Sequence, residues 1–571
     1  MGCINSVEAI GAKLAIFSEV LRSAYQSKPD QVIITLQQAG FPDRPITYKD
    51  LLEGACGYAR TLAQQGIQPG EVVVLILQHG VDLVYAFWGA VLHGAIPAIM
   101  PYLTEKLLPE RYRHDLEALI SVTQPAAIVT YPDFETEVRP ALKPGDSVRS
   151  LILSDCMEAP GAPDFTQLAG MQRDPEDIVL LQHSSGTTGL QKGVALSHQA
   201  VFHQLENLGF ALELSSQDVV VSWLPLYHDM GLIAGFIMPV LTGIPLVLLS
   251  PFDWVKAPQR LFQAVSQFKG TLVWLPNFAY YFCAQKIRER HMEGVDLSGW
   301  RAVINCSEPV RDDGHQIFLE KFGPYGFSEK ALAVSYAMAE NVFAVTQSKI
   351  GEPLYIEDIN RDLLQTRKFA LPTSESSVSV RMVSCGRPIP NVSVKIVDQN
   401  GNALKDRRVG EVAVQSNCML NEYYHRPDAT EETILPDGYF LTGDFGYKVG
   451  EELFITGRKK DLIIVGGKNV YPMDIEQLAM EVDGVHPGRV SVFGIFDEEK
   501  GTEDVILVAE VDTQNENERQ RISDQIRAVV TRGSAIALQH VYLVNLGWMV
   551  KTSSGKNSRY ANREKYLMEI L

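Results

Sequence analysis

Paired cysteines are missing from this sequence. The seven it has, at 3, 56, 156, 283, 306, 385 and 418, never fall at CxxC spacing. An odd, scattered set in 571 residues reads as reduced thiols, which suits a cytoplasmic setting better than a disulfide framework. Metal signatures are missing too: there is no HExxH helix, EF-hand loop or Cys/His cluster, so no structural metal is indicated. Positive charge is short, with Lys+Arg 51 against Asp+Glu 69 and a net charge of −18. A surface of that sign repels phosphate backbones and excludes general nucleic-acid binding. Residues 1–8 lack a basic region followed by an apolar core, so no secretory leader is expected. The start through Gly2 does fit the myristoylation pattern, which a six-residue match also reaches by chance. One uncharged stretch, 230–252, is long enough for a bilayer. Pro239, Pro245, Gly231, Gly235 and Gly243 interrupt it, so it reads as a buried helix to about Leu241, a stop at Thr242-Gly243, and a buried strand Leu246–Leu249. No integral membrane segment is expected.

Hydrophobic residues make up 46% of the chain and charged residues 21%, which excludes a largely disordered protein. The length exceeds one simple core and predicts several subdomains. Residues 82–100 and 231–249 share a pattern: an apolar helix ending at Gly94 or Gly243, then Ile96-Pro97 or Ile244-Pro245, then a short strand. The pattern predicts two related α/β layers; chance similarity of two helix–strand units is the other reading. Further strands are expected at 72–77, 127–130, 150–153, 178–182, 219–223, 271–275 and 302–305, with helical patterns between many of them. Continuous apolar strands alternating with helices imply parallel sheets covered on both faces. After Val392 the runs 392–397, 410–415 and 452–456 are closely spaced, as in a small antiparallel barrel. From Gly457 onward a compact α+β unit is expected, with helices at 476–482 and 515–531 and strands at 490–496, 505–511 and 541–546.

The chemistry-bearing stretch is 181–194. An apolar strand runs into His183-Ser184-Ser185-Gly186-Thr187-Thr188-Gly189, with Lys192 just beyond. A loop of exposed N–H and O–H groups beside a lysine suits a polyphosphate. It is not a Walker A loop, because Lys192 does not follow a glycine at the required spacing. Residues 184–193 resemble the phosphate loop of the adenylate-forming superfamily, which includes acyl-CoA synthetases, luciferases and peptide-synthetase adenylation domains. Four further motifs resemble that superfamily in the same order. They are Tyr336-Ala337-Met338-Ala339-Glu340, the ribose segment 439–444, the hinge Gly457-Arg458-Lys459-Lys460-Asp461, and the catalytic loop 551–556. Residues 223–232, 276–280, 307–311, 383–388 and 468–476 most resemble fatty acyl-AMP ligases, as does the long passage of about 341–384, where those enzymes carry an insertion. Ala337 and Cys306 stand where glycine is usual, and Val550 where proline is usual.

The resemblance implies an α/β fold. A large N-terminal domain, 1–457, would hold two stacked α/β subdomains and a small β-barrel. A small mobile α+β C-terminal domain, 458–571, would carry the catalytic lysine. It implies ATP and Mg²⁺ as cofactors and a fatty or similar apolar acid as substrate. An acyl carrier protein would be the acceptor; free coenzyme A is the alternative, and a non-catalytic acid- or nucleotide-binding relative a third. By the same resemblance Ser184, Ser185, Gly186, Thr187, Thr188, Gly189 and Lys192 face phosphates, and Glu340 holds the metal. Tyr336 packs on adenine beside Ala337, Met338 and Ala339, with Ser307, Glu308 and Pro309 as the adjacent wall. Asp444 takes the ribose hydroxyls with support from Arg458. Lys556 meets the reacting carboxylate, His228 sits where acid meets nucleotide, and Lys460 is the hinge. Leu232, Ile233, Phe236 and Ile237, and the aromatics Phe278, Tyr281 and Phe282, are the candidates for an acyl tunnel. The apolar residues of the 341–384 passage, Ile359 and Leu364 among them, are expected to anchor it on the large domain.

Overall fold

The computed structural model describes residues 15–102, 109–183, 192–308, 310–376, 378–465, 468–498, 502–534, 536–551 and 557–570. They form two compact units. The first comprises 1–355, 383–394 and 414–440; the second comprises 356–382, 395–413 and 441–571. This division differs from the expected cut at 457/458. The passage 356–382 and the residues 395–413 and 441–457 group with the C-terminal residues.

Two sheets organise the first unit. One has seven strands, in the order Glu422–Tyr423, Gly193–Ser197, Ile178–His183, Ile96–Ile99, Val72–Ile76, Ala127–Thr130 and Ser150–Leu153. The other has nine, in the order Arg387–Pro388, Ala344–Gln347, Leu332–Ala337, Ala302–Asn305, Leu272–Leu275, Val220–Ser222, Leu246–Leu249, Val32–Gln37 and Arg44–Thr47. Central neighbours are parallel, as is the edge pair Ala127–Thr130 and Ser150–Leu153, while the other edges are antiparallel. Every residue of Val72–Ile76, Ala127–Thr130 and Leu272–Leu275 is buried, as parallel strands covered on both faces must be.

The two similar segments fall one in each sheet. Helix Val81–His93 ends at Gly94 (φ 81°) and leads into Ile96–Ile99. The second counterpart is a π-helix over Met230–Ile237, then an α-helical turn Met238–Thr242, Gly243 (φ 78°) and the strand Leu246–Leu249. Helix Tyr48–Gln64 starts with a reciprocal cap: Thr47 Oγ1 accepts the Asp50 N–H at 3.1 Å, and Asp50 accepts the Thr47 N–H at 3.0 Å. It crosses Val81–His93 closely at Gly89, where a Cβ would lie 2.5 Å from Tyr58 Cβ and 2.6 Å from the Ala55 carbonyl. Among the described residues no helix is long and apolar enough to cross a membrane.

The expected small barrel is, among the described residues, a four-stranded sheet in the order Val392–Val397, Gly410–Ser416, Phe440–Val449 and Glu452–Arg458. The strand pair Ile356–Asn360 and Ser379–Val383 frames helix Arg361–Arg367. Ile359, Leu364 and Ala370 pack with Val409, Tyr447 and Phe454, residues of the expected 1–457 domain, as the apolar positions of this passage predict. Arg407 and the Tyr447 hydroxyl (3.0 Å) both bond Glu357, and Arg361 donates to the carbonyls of Ser379 (2.8 Å) and Gly533. The C-terminal part is a three-stranded sheet, Val485–Asp497, Thr502–Val511 and His540–Asn545. Helices Pro472–Met480 and Glu516–Ser534 bury Ile475, Ala479, Ile522, Ile526 and Val530 against it.

Candidate active site

Strand Leu332–Ala337 ends in a β-bulge at Tyr336/Ala337 and turns through Ala339–Asn341 before returning as Ala344–Gln347. Tyr336, Met338 and Ala339 are buried at its tip, while Ala337 and Glu340 are half-buried. The turn is strained. Buried Val342 adopts φ 60° and ψ −53°, and the Phe343 N–H reaches the Asn341 carbonyl at 2.6 Å, which is a γ-turn of the rare hand. A β-branched residue there costs about 1–3 kcal/mol and persists only where its surroundings impose it. Glu340 accepts the Tyr423 hydroxyl on Oε1 at 2.7 Å. Lys192 lies 4.2 Å from the centroid of the Tyr423 ring, so the structure brings Lys192 and Glu340 to two sides of one tyrosine.

Ser307 follows strand Ala302–Asn305 at a positive φ of 75°, with Oγ 3.8 Å from Met230 Sδ. Glu308 is engaged locally: Oε2 accepts the Phe278 N–H at 3.0 Å, in the first turn of helix Asn277–Lys286. Cys306 is fully buried. His228 and Asp229 precede the π-helix, with His228 Nδ1 2.5 Å from Asp229 Oδ1 and the Met230 N–H donating to Asp229 at 2.8 Å. A π-helix widens the turn and is frequent at functional sites.

The acyl candidates separate into two groups. Leu232, Ile233, Phe236 and Ile237 are buried, and Phe236 packs on Phe87 and Trp88 at 5.5 and 5.6 Å, as core does. Phe278, Tyr281 and Phe282 share a half-buried helix face. Phe278 and Phe282 meet a stacked indole pair, Trp223 and Trp254, whose centroids are 3.5 Å apart. Burial and the neighbouring Asp313 push the Tyr281 phenol well up, so it stays neutral.

In the second unit Asp444 and Arg458 are register partners, and Arg458 Nε donates to Asp444 Oδ1 at 3.1 Å. Asp444 is buried while Arg458 is exposed. Gly457 (φ 157°) leaves no room for a Cβ, which would sit 2.9 Å from the Tyr471 ring. Lys460 is exposed in the short turn Lys459–Asp461. Its neighbours point to different anchors: Lys459 donates to Glu411 at 2.7 Å, and Asp461 accepts from Arg559 at 2.7 Å. Arg559 also grips Glu476 through two bonds, at 2.8 and 2.7 Å.

Ser184, Ser185, Gly186, Thr187, Thr188, Gly189, Pro309 and Lys556 lie outside the described residues. The chain on either side of 552–556 is held firmly. Buried Asn562 exchanges two bonds with the Val550 backbone at 2.7 and 3.1 Å and bonds Asn557 at 2.6 Å. Buried Glu510 accepts the Met549 N–H at 2.7 Å. Tyr423, Asn562, Glu510 and Arg559 were missed by motif reasoning. Their only sequence mark is a polar or aromatic residue within an otherwise unremarked run.

Among the described residues no cluster of three or more His, Cys, Asp or Glu could hold a metal ion. Glu340 offers one hard oxygen ligand at a half-buried position. That donor set fits a cation which takes the rest of its shell from phosphates and water, as Mg²⁺ does.

A family model described as AMP-binding enzyme matches residues 21–424. The medium-chain-fatty-acid–acyl-carrier-protein ligase JamA of Moorena producens is 32% identical over 96% of this chain and 94% of its own. A protein of Caulobacter vibrioides, provisionally named an acyl-CoA synthetase, is 29% identical over 91% of this chain and 90% of its own. Among solved structures, a chain from work on fatty acyl-adenylate ligases of E. coli and L. pneumophila matches with a TM-score of 0.88. It is 25% identical, covering 97% of this chain and 98% of that one.

Proposed function

Because this chain belongs to the AMP-binding enzyme family, we propose that it activates a fatty or similar apolar acid with ATP and passes the acyl group to a carrier protein. The first step forms the acyl-adenylate and releases pyrophosphate. The second moves the acyl group to the phosphopantetheine thiol of an acyl carrier protein. The observation that carries the choice of acceptor is the match to JamA over nearly the whole of both chains.

In this reading the nucleotide is read at two places. Tyr336 packs on adenine. Asp444, ionised and held at Oδ1 by Arg458, has lone pairs for both ribose hydroxyls. The loop 184–189 and Lys192 face the phosphates. Glu340 would hold Mg²⁺, which supplies positive charge to the phosphate oxygens when bound. Attack of a carboxylate on the α-phosphate brings anions together, so Lys556 and His228 serve to align the acid and offset charge. Phe278, Tyr281 and Phe282 line the entry for the acyl chain, because their shared face is apolar yet half-buried. Lys460 is the point about which residues 458–571 turn as a domain between the two half-reactions.

The test offers the enzyme ATP, Mg²⁺ and fatty acids of graded length, follows pyrophosphate release, then adds either a holo carrier protein or free coenzyme A. Acylation of the carrier, read as a mass shift, is expected with little acyl-CoA. Efficient acyl-CoA formation would replace the acceptor assignment with that of an acyl-CoA ligase. Absence of pyrophosphate release across the panel would reject the activation step.

A further inference from the structure

The turn that bears Glu340 is tied down by a segment that no motif marked. Leu420 donates its N–H to the Glu340 carbonyl at 2.7 Å, and the Tyr423 hydroxyl donates to the Glu340 carboxylate. Ser416 Oγ bonds Asn341 Oδ1, and Asn341 Nδ2 donates to the Ala344 carbonyl at 2.7 Å. The same segment then joins the strand that follows the phosphate loop. Glu422 and Tyr423 pair with Ala195 and Val194, the Tyr424 N–H donates to the Gly193 carbonyl at 2.8 Å, and Ser197 donates its N–H to Asn421 at 3.0 Å. Tyr423 therefore stands where the two phosphate-facing elements meet, its ring under Lys192 and its hydroxyl on Glu340.

Its surroundings make the hydroxyl consequential. Tyr423 is 4% exposed, so water does not compete freely for the bond, and a phenol donating to a carboxylate makes a short, directional, charge-assisted contact. A glutamate side chain has three rotatable bonds, and a ligand free to swing must be ordered before it can meet a cation with strict octahedral geometry. Fixing one carboxylate oxygen removes that freedom beforehand. Donors behind a metal ligand commonly matter by about 10–100-fold in metal affinity.

Resting on the reading of Glu340 as the magnesium carboxylate, we propose that Tyr423 is a positioning residue for the divalent cation: its hydroxyl sets the Glu340 carboxylate, and its ring seats Lys192 beside it. Tyr423→Phe removes the hydroxyl and keeps the ring. Mn²⁺ is titrated into the protein with a non-hydrolysable ATP analogue and followed by electron paramagnetic resonance, beside Glu340→Gln and the unaltered protein. Tyr423→Phe is expected to bind Mn²⁺ about 10–100-fold more weakly, with the metal-free affinity for the analogue held within about twofold. Equal losses of metal and metal-free nucleotide binding would overturn the metal-specific role. Unaltered Mn²⁺ affinity in Tyr423→Phe, with loss in Glu340→Gln, would overturn the Tyr423 assignment alone. Unaltered affinity in both variants would overturn the Glu340 reading and this one with it.

Discussion

A single cationic side chain placed where negative charge gathers is commonly worth about 10²–10³ in rate. Lys556→Ala is expected to lower acyl-adenylate formation by about that factor, measured as pyrophosphate release, while the thermal unfolding midpoint holds. The folding half of that expectation rests on Asn562 and Glu510, which secure the flanking backbone without using Lys556. A wild-type rate would reject the assignment. What could be read from sequence at this scale was whatever is contiguous. Each motif is a short run, so Glu340, Asp444 and Arg458 stood out. Tyr423 and Arg559 did not, because Tyr423 is 83 positions from its partner Glu340 and Arg559 is 83 from Glu476. Only folding makes those pairs neighbours.

Elements were legible where a short β-rich run stands between clear breaks in pattern. The strands Ala127–Thr130, Ser150–Leu153, Ala302–Asn305 and Val392–Val397 have the bounds that their β-rich runs predict. The helix after Asp229 was legible as a helix but not as a π-helix. All eight of its residues are buried, so no polar face records the winding. In the turn proposed as the hinge, Lys459 and Asp461 hold to different anchors with exposed Lys460 between them. Lys460→Pro fixes φ there. Adenylation is expected to survive and acyl transfer to fail, each half-reaction being assayed separately; equal loss of both would mean general damage. The 356–382 passage reaches the Gly533 carbonyl through Arg361, so it grips the helix Glu516–Ser534 of its own unit. A variant shortened between 350 and 377 is expected to form adenylate and to gain acyl-CoA formation. A folded, adenylating variant with no such gain would mean that the passage does not keep free coenzyme A out, and would leave the carrier-protein reading in place.

The whole molecule should answer to mild acid. Burial pushes His79, His183 and His315 down to about 4 and His198 to about 3, from an ordinary value of 6.5. His198 Nδ1 accepts the Phe17 N–H at 3.2 Å, as only a neutral ring can. Between pH 6.5 and 4 the unfolded chain binds protons that the folded one refuses, so stability is full above 6.5 and falls as pH drops through that window. Each ring contributes a slope of about 1.4 kcal/mol per pH unit there. Calorimetry across pH is expected to show Tm level above about 7 and falling steeply below about 6.5; a level Tm down to pH 4 would mean that the rings titrate equally in both states. The stacked indoles of Trp223 and Trp254, nearly parallel at 9° and beside Phe278, have one more consequence. Two chromophores at that separation absorb as a coupled pair, and their splitting depends on geometry. The chain thus carries a built-in optical gauge: if the acyl chain enters beside Phe278, as proposed, and shifts either ring, the near-ultraviolet circular dichroism changes and loading is watched without a label.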